Sequence, residues 1–167
     1  MQEDEELWAQ VVARNAEAFE EFYQNHYPRL RRFLRMCLGN VPAVDDLAQD
    51  TFLQLWHRPQ GFNPSRSSLK AYLFGIARKK AADWWRHKPR SESPPAAVAA
   101  GSVGSNLLLK DAFEQLRPES QSILWLREVE GYSYDEMARI LNVPLGTVKW
   151  RLFEAREELR RIWNTGE

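Results

Sequence analysis

Along most of this chain the apolar residues recur three and four positions apart, the period at which one face of an α-helix meets a core. Asn15 can cap a helix carrying Phe19, Phe22 and Tyr23. Pro28 breaks or kinks it, and Leu30, Phe33, Leu34 and Cys37 continue on one side. "GNVP" (39–42) separates a helix over about 43–57. "RPQGFNPSRSS" (58–68) reads as a loop, because glycine, two prolines, asparagine and serines interrupt the period. Leu69, Tyr72, Leu73 and Ile76 then return at helical spacing in "SLKAYLFGIARKKAADWWR" (68–86). Strand signals are missing: there is no Asn-Gly hairpin and no sustained alternation of β-branched residues.

The second half predicts four helices. "NLLLKDAFEQL" (106–116) is the first. Pro118 opens the second, which runs through Ile123, Leu126 and Val129 until Gly131 stops it. Ser133 and Glu136 form a capping-box pattern for the third, "YDEMARIL" (134–141). The fourth starts at Pro144 or Leu145 and runs towards Trp163. Between the halves, "KPRSESPPAAVAAGSVGSN" (88–106) is rich in Pro, Ser, Gly and Ala and almost free of large apolar residues. The pattern therefore predicts an all-α fold of two small helical domains, 1–88 and 107–167, joined by a flexible linker over 89–106.

Charge changes this picture locally rather than globally. Lys and Arg number 23 and Asp and Glu number 23, so the chain is neutral overall. Residues 66–90 nevertheless carry Arg66, Lys70, Arg78, Lys79, Lys80, Arg86, Lys88 and Arg90 against Asp83 alone. The first 28 residues are strongly acidic, and 36–57 carry Asp45, Asp46 and Asp50 with no Lys or Arg. A basic helix and acidic surfaces in a neutral protein point to at least two kinds of partner. Cys37 is a lone cysteine and reads as a small apolar residue on a helix face. His26, His57 and His87 stand apart, so neither metal nor any other cofactor is expected. "MQEDEELW" is not a signal peptide and no apolar run approaches a membrane span, so a cytoplasmic protein without membrane insertion is expected.

On a helical wheel of the last helix, Val148, Leu152, Ala155, Leu159 and Ile162 form an inward stripe. Gly146, Trp150 and Phe153 fall opposite, with Lys149 and Arg156 beside Phe153. The two aromatics either pack on the linker or the other domain, or mark a contact surface rimmed by basic groups. Two short helices joined by a tight turn, the second with basic residues in its first turns, have the helix-turn-helix layout. Lys149, Arg151 and Arg156 suit phosphate or guanine, and the helix N-terminus offers free N–H groups to a phosphate.

At this point a resemblance sharpens the reading. "YSYDEMARILNVPLGTVKWRLFEAREELR" (132–160) resembles the −35-reading region of sigma-70-family initiation factors of the extracytoplasmic-function (ECF) class. "DDLAQDTFLQLW" (45–56) resembles the segment by which such factors dock on the β′ clamp helices of RNA polymerase. "LKAYLFGIARKKAADWWR" (69–86) resembles the helix that melts and reads the −10 element, and "NAEAFEEFYQNHYPRLRRFL" (15–34) resembles the N-terminal helices of the class. The motifs cover nearly the whole chain in the family's order.

The resemblance implies domains of the σ2 and σ4 type and a sigma factor rather than an enzyme. The implied partners are core RNA polymerase (β′ clamp helices and β flap), promoter DNA and an anti-sigma factor, with a monomer expected when free. The implied polymerase contacts are Asp46, Gln49, Asp50 and Leu53. The implied −10 contacts are Phe62, Asn63, Ser65 and Arg66 in a loop that accommodates a flipped base. Arg78, Lys79, Lys80, Trp85 and Arg86 follow on the next helix, where charge tracks phosphates and rings stack on bases. Of the two adjacent tryptophans, Trp84 is expected in the core and Trp85 at the contact. The implied −35 contacts are Gly146, Thr147, Lys149, Trp150, Arg151, Phe153 and Arg156. Two positions depart from the family pattern: Lys79 stands where many relatives have Asn, and Trp150 where a serine is usual. Alternative readings at this stage are a helix-turn-helix regulator that binds DNA alone, a protein-interaction bundle, and, remotely, an enzyme. No nucleophile constellation or phosphate loop supports the last.

Overall fold

The computed structural model of the protein describes residues 2–88 and 107–165. The expected linker, 89–106, lies outside the described residues. Among the described residues the chain is helical and contains no strand.

α1 spans Gln2–Val12 and α2 spans Ala16–Leu38. Asn15 divides them as expected: its side-chain oxygen accepts from the Glu17 and Ala18 amides at 3.0 and 3.2 Å, satisfying donors that a helix start leaves open. Pro28 sits inside α2 without ending it, and Gly39, at φ 82°, closes the helix. α3 is Ala43–His57 and α4 is Leu69–His87, capped by the Ser68 hydroxyl, which accepts from the Ala71 amide at 3.1 Å. Leu30, Phe33 and Leu34 of α2, Ala48, Phe52 and Leu55 of α3, and Leu69, Leu73 and Phe74 of α4 are wholly or almost wholly buried together. Truncating a ring such as Phe52 to alanine would cost about 3–5 kcal/mol.

α1 lays Trp8 edge-on against Phe62, with centroids 4.8 Å apart, and Phe62 in turn meets Tyr72 at 5.4 Å. Phe62 is therefore 7% exposed and anchors the 62–68 loop from inside. Beside it Gly61 lies against the Tyr72 hydroxyl: a Cβ there would come within 2.3 Å of it, so the end of the Tyr72 side chain would have to shift.

α5 (Leu107–Glu114) precedes α6 (Pro118–Leu124), which runs on into a π-helical turn over Trp125–Val129. Glu130 N–H donates to the Trp125 carbonyl at 3.0 Å and Tyr132 N–H to the Leu126 carbonyl at 3.1 Å, around Gly131 at φ 73°. α7 is Tyr134–Leu141, and its capping box forms as predicted: Ser133 Oγ accepts from the Glu136 amide and the Glu136 carboxylate accepts from the Ser133 amide. Asn142 then takes the left-handed conformation at φ 53°, the Val143 and Asn142 amides close a Schellman motif on Ala138 and Arg139, and α8 runs from Leu145 to Thr165.

The two halves pack on one another, α2 against α6 and α4 against α7, in a continuous buried core. Lys70 Nζ lies 2.6 Å from the Glu130 carboxylate, and Arg29 lies 3.6 Å from it. Arg32 sits 4.3 Å over the Trp125 ring, and Phe74 meets Tyr132 edge-on at 5.8 Å.

Candidate polymerase-docking and DNA-reading surfaces

α3 buries Val44, Ala48, Thr51, Phe52 and Leu55 and leaves Asp46, Gln49, Asp50 and Leu53 exposed. Those four occupy positions i, i+3, i+4 and i+7, one continuous outer face. Leu53 is 49% exposed at the end of this run, one turn beyond Asp50, so the face joins two acids to an apolar residue. Asp45, next in sequence to Asp46, belongs elsewhere: it accepts hydrogen bonds from Arg31 and from the Tyr27 hydroxyl. The Arg31 guanidinium holds the Asp45 carboxyl below the usual carboxylate range; slight burial opposes this and Tyr27 assists it.

The loop before α4 is built around Asn63. Its Oδ1 accepts from the Ser65 amide at 2.9 Å and the Ser65 hydroxyl at 2.6 Å, an Asx turn that leaves Asn63, Pro64, Ser65 and Arg66 at the surface. Phe62 does not join them. Its ring is clamped between Trp8 and Tyr72, so it supports the loop and is withdrawn from the expected DNA contacts.

On α4, Lys79 and Arg86 are exposed while Arg78 and Lys80 are half-buried. Arg86 is paired with Asp83 one turn earlier. The expected division between Trp84 and Trp85 does not hold, because both are half-buried, edge-on to each other at 5.1 Å, with the Lys88 ammonium 4.5 and 5.0 Å from their rings. Trp85 Nε1 donates to the Cys37 carbonyl at 3.0 Å, which fastens the ring to α2. The Cys37 thiol itself is pushed up to about 11 by burial, a value that suits a packing residue and not a nucleophile.

α8 buries Val148, Leu152 and Ala155, and half-buries Leu159 and Ile162, as its wheel predicts. Trp150 is 62% and Phe153 59% exposed, with exposed Lys149 beside them; neither aromatic packs on the other half. Thr147 and Arg151 are half-buried. A side chain at Gly146 would meet nothing in this chain, so no internal contact requires glycine there. Arg156 is not a free outward cation: its guanidinium donates to Glu128, in the π turn, at 2.8 Å. Sequence reasoning also missed Arg139 and Asn142. With Arg58, Arg78, Lys79, Lys80 and Arg86 they line one cleft of about 880 Å³ between α4 and α7. No helix among the described residues is long and apolar enough to cross a membrane, and no group of His, Cys, Asp or Glu among them is arranged to hold a metal.

A basic helix behind an ordered loop, an acidic face, and a helix-turn-helix with exposed aromatics thus occupy separate surfaces of the helical fold. Known proteins resemble this chain. A family model of sigma-70 region 2 matches residues 22–91, and one of sigma-70 region 4 matches residues 106–159. The ECF RNA polymerase sigma factor RpoE of Cereibacter sphaeroides is 30% identical over 159 residues, covering 89% of this chain and 87% of that protein. The ECF RNA polymerase sigma factor SigM of Mycobacterium tuberculosis is 29% identical over 172 residues, covering 98% and 87%. The sigma factor RpoE solved in complex with the anti-sigma factor NepR from Bartonella quintana matches with TM-score 0.73 at 26% identity over 91% of this chain and 100% of that one. CnrH, solved with the cytosolic domain of CnrY, matches with TM-score 0.69 at 26% identity over 98% and 99%. This chain belongs to the ECF sigma factors of the sigma-70 family.

Proposed function

We infer that the chain lends promoter recognition to core RNA polymerase by dividing the work among three surfaces. Residues 1–88 form the polymerase-docking and −10 domain, 89–106 the connection, and 107–167 the −35 domain. The acidic face of Asp46, Gln49, Asp50 and Leu53 docks on the β′ clamp helices. Its charge suits a basic partner, and Leu53 supplies an apolar contact.

The −10 element, melted, is read by Asn63, Ser65 and Arg66 with Arg78, Lys79, Lys80 and Arg86. A lysine at 79 favours phosphate where an asparagine would favour a base edge. The −35 element is read as duplex by the first turns of α8. Lys149 and Arg151 contact phosphate or guanine, and Trp150 and Phe153 lie against thymine methyls or sugars. Half to two-thirds of such contacts position the backbone, so base preference rests on few residues, Trp150 foremost.

The protein works in the cytoplasm, is a monomer when free, and is held in check by an anti-sigma factor; in support of the last point, the similar sigma factor RpoE was solved in complex with the anti-sigma factor NepR. The observation that carries the reading is the exposure of Trp150, Phe153 and Lys149 opposite a buried Val148–Leu152–Ala155 stripe, in a chain of this family.

Transcription from a matching promoter, reconstituted with purified core polymerase, tests it. Initiation that needs both core and this chain is expected. Tight binding of the chain alone to duplex DNA, with no effect on core, would instead make it an independent DNA-binding regulator.

A further inference from the structure

α1 packs on the loop before α4. Its Trp8 ring stands edge-on to Phe62 at 4.8 Å, and Phe62 rests on Tyr72 at 5.4 Å, so the start of the loop is fixed between α1 and α4. Glu5 lies three positions before Trp8, about one helical turn, and shares its face. Glu5 lines a pocket of about 310 Å³ with Ser65, Arg66 and Ser67 of the loop, and Arg139 of α7 lines it too. That volume is at the lower end of the range for a small-molecule site. Ser67 and Arg139 also line the larger cleft that holds Arg78 and Lys79 of α4, so the two spaces adjoin. A strand whose phosphates follow α4 can therefore turn a base into the smaller pocket.

Glu5 is exposed, and among the described residues no cation is paired with its carboxylate. A carboxylate in such a wall repels phosphate, so it adds nothing to backbone affinity and can only select. What it selects follows from its chemistry, because an ionised carboxylate accepts hydrogen bonds and donates none. On the Watson–Crick edge, by which an extruded base is read, guanine presents two adjacent donors, N1–H and N2–H, that match the two carboxylate oxygens. Adenine and cytosine present one amino group beside a ring nitrogen that is itself an acceptor. Thymine presents one N–H between two carbonyls. Each of these three sets a lone pair against a carboxylate oxygen. α1 also precedes residues 22–91, which the region 2 family model matches, so this wall lies outside that match.

We propose that α1 completes the pocket that takes an extruded −10 base: Glu5 selects guanine there, and Trp8 is the positioning residue that holds α1, and with it Glu5, against the loop. The proposal rests on the reading of the 62–68 loop as the −10 base site. Arg66, on the same wall, offsets the repulsion between Glu5 and the strand.

The test uses the full-length chain with core polymerase on a matched promoter whose −10 positions are changed one at a time to each base. Wild type should favour guanine over adenine at one non-template position by about tenfold, the scale of one bidentate contact to a base. Glu5→Gln, whose amide both donates and accepts, should bring that ratio to about one without lowering initiation on the adenine promoter. Trp8→Ala should lose the preference as well, and Trp8→Phe should keep most of it. A structural defect would lower initiation on every −10 sequence alike and leave the ratio unchanged. No guanine preference in wild type, or a preference that survives Glu5→Gln, would overturn the proposal. Should Trp8→Ala lose its helical circular dichroism, Glu5→Gln and Trp8→Phe decide without it. Ser65→Ala and Arg66→Ala separate the two readings. If neither changes initiation, the loop is not the −10 base site and the proposal falls with that reading. If they lower initiation while Glu5→Gln leaves the base ratio as it was, the role of α1 alone is wrong.

Discussion

Asp45 and Asp46 are neighbours in the chain and have opposite roles. One is tied to Arg31 and Tyr27 inside the first half, and the other faces out with Asp50 and Leu53. Reversing the outward charge with Asp50→Lys should weaken core polymerase binding roughly ten- to hundredfold, about 1.4–2.7 kcal/mol, without altering the fold. Titration of labelled variant with core enzyme checks this. Lys149→Ala should lower initiation at a matched promoter and leave core binding unchanged; an equal loss of both in parallel assays would contradict the face assigned to α8. The outward residues of α3 and α8 were legible because a helical wheel needs only the local period. Phe62, Trp85 and Arg156 were not, because their partners Trp8, Cys37 and Glu128 lie far off in sequence. A basic or aromatic residue reads as a contact until such a partner is known.

Helix starts were equally legible, since the group that caps them is a near neighbour. Asn15, Pro118 and the Ser133–Glu136 box all act where the sequence puts them. Ser133→Ala should remove about 1 kcal/mol of stability, read as a lowered thermal midpoint. Less legible was α1, whose packing on Phe62 depends on a loop fifty residues later, and the π turn, which no local pattern announces. The tie between α6 and α8 has a pH signature. Burial raises the Glu158 carboxyl, but hydrogen bonds from Ser120 and from the Arg117 amide and side chain outweigh it and hold the group below its ordinary value. A carboxyl depressed in the folded state stabilises above its unfolded value, about 4.3, and that contribution is lost as pH falls through the folded one. Thermal melts of wild type and Glu158→Gln should therefore differ near neutral pH and converge in acid.

At the scale of the whole molecule the sequence predicted two helical parts and said nothing of how they meet. The reason is physical. The interface is made by residues such as Phe74, Trp125 and Tyr132, whose periodicity only marks them as buried, without saying against which half. Because those residues belong to one continuous core, calorimetry of the full chain should show a single cooperative transition. Glu130→Lys should split it into two, each half melting by itself. The π turn also carries a surplus residue. It holds one residue more than a regular helix would over the same stretch, and it ends where Glu130 meets Lys70. Deleting one residue between Trp125 and Val129 would remove that surplus and restore regular winding, leaving the helix before the turn and Glu130 after it in nearly the same mutual orientation. Deleting one residue from the regular part of α6 would instead turn the preceding side chains by about 100° relative to Glu130. A shortening of the chain is thus absorbed at the π turn and nowhere else along this helix.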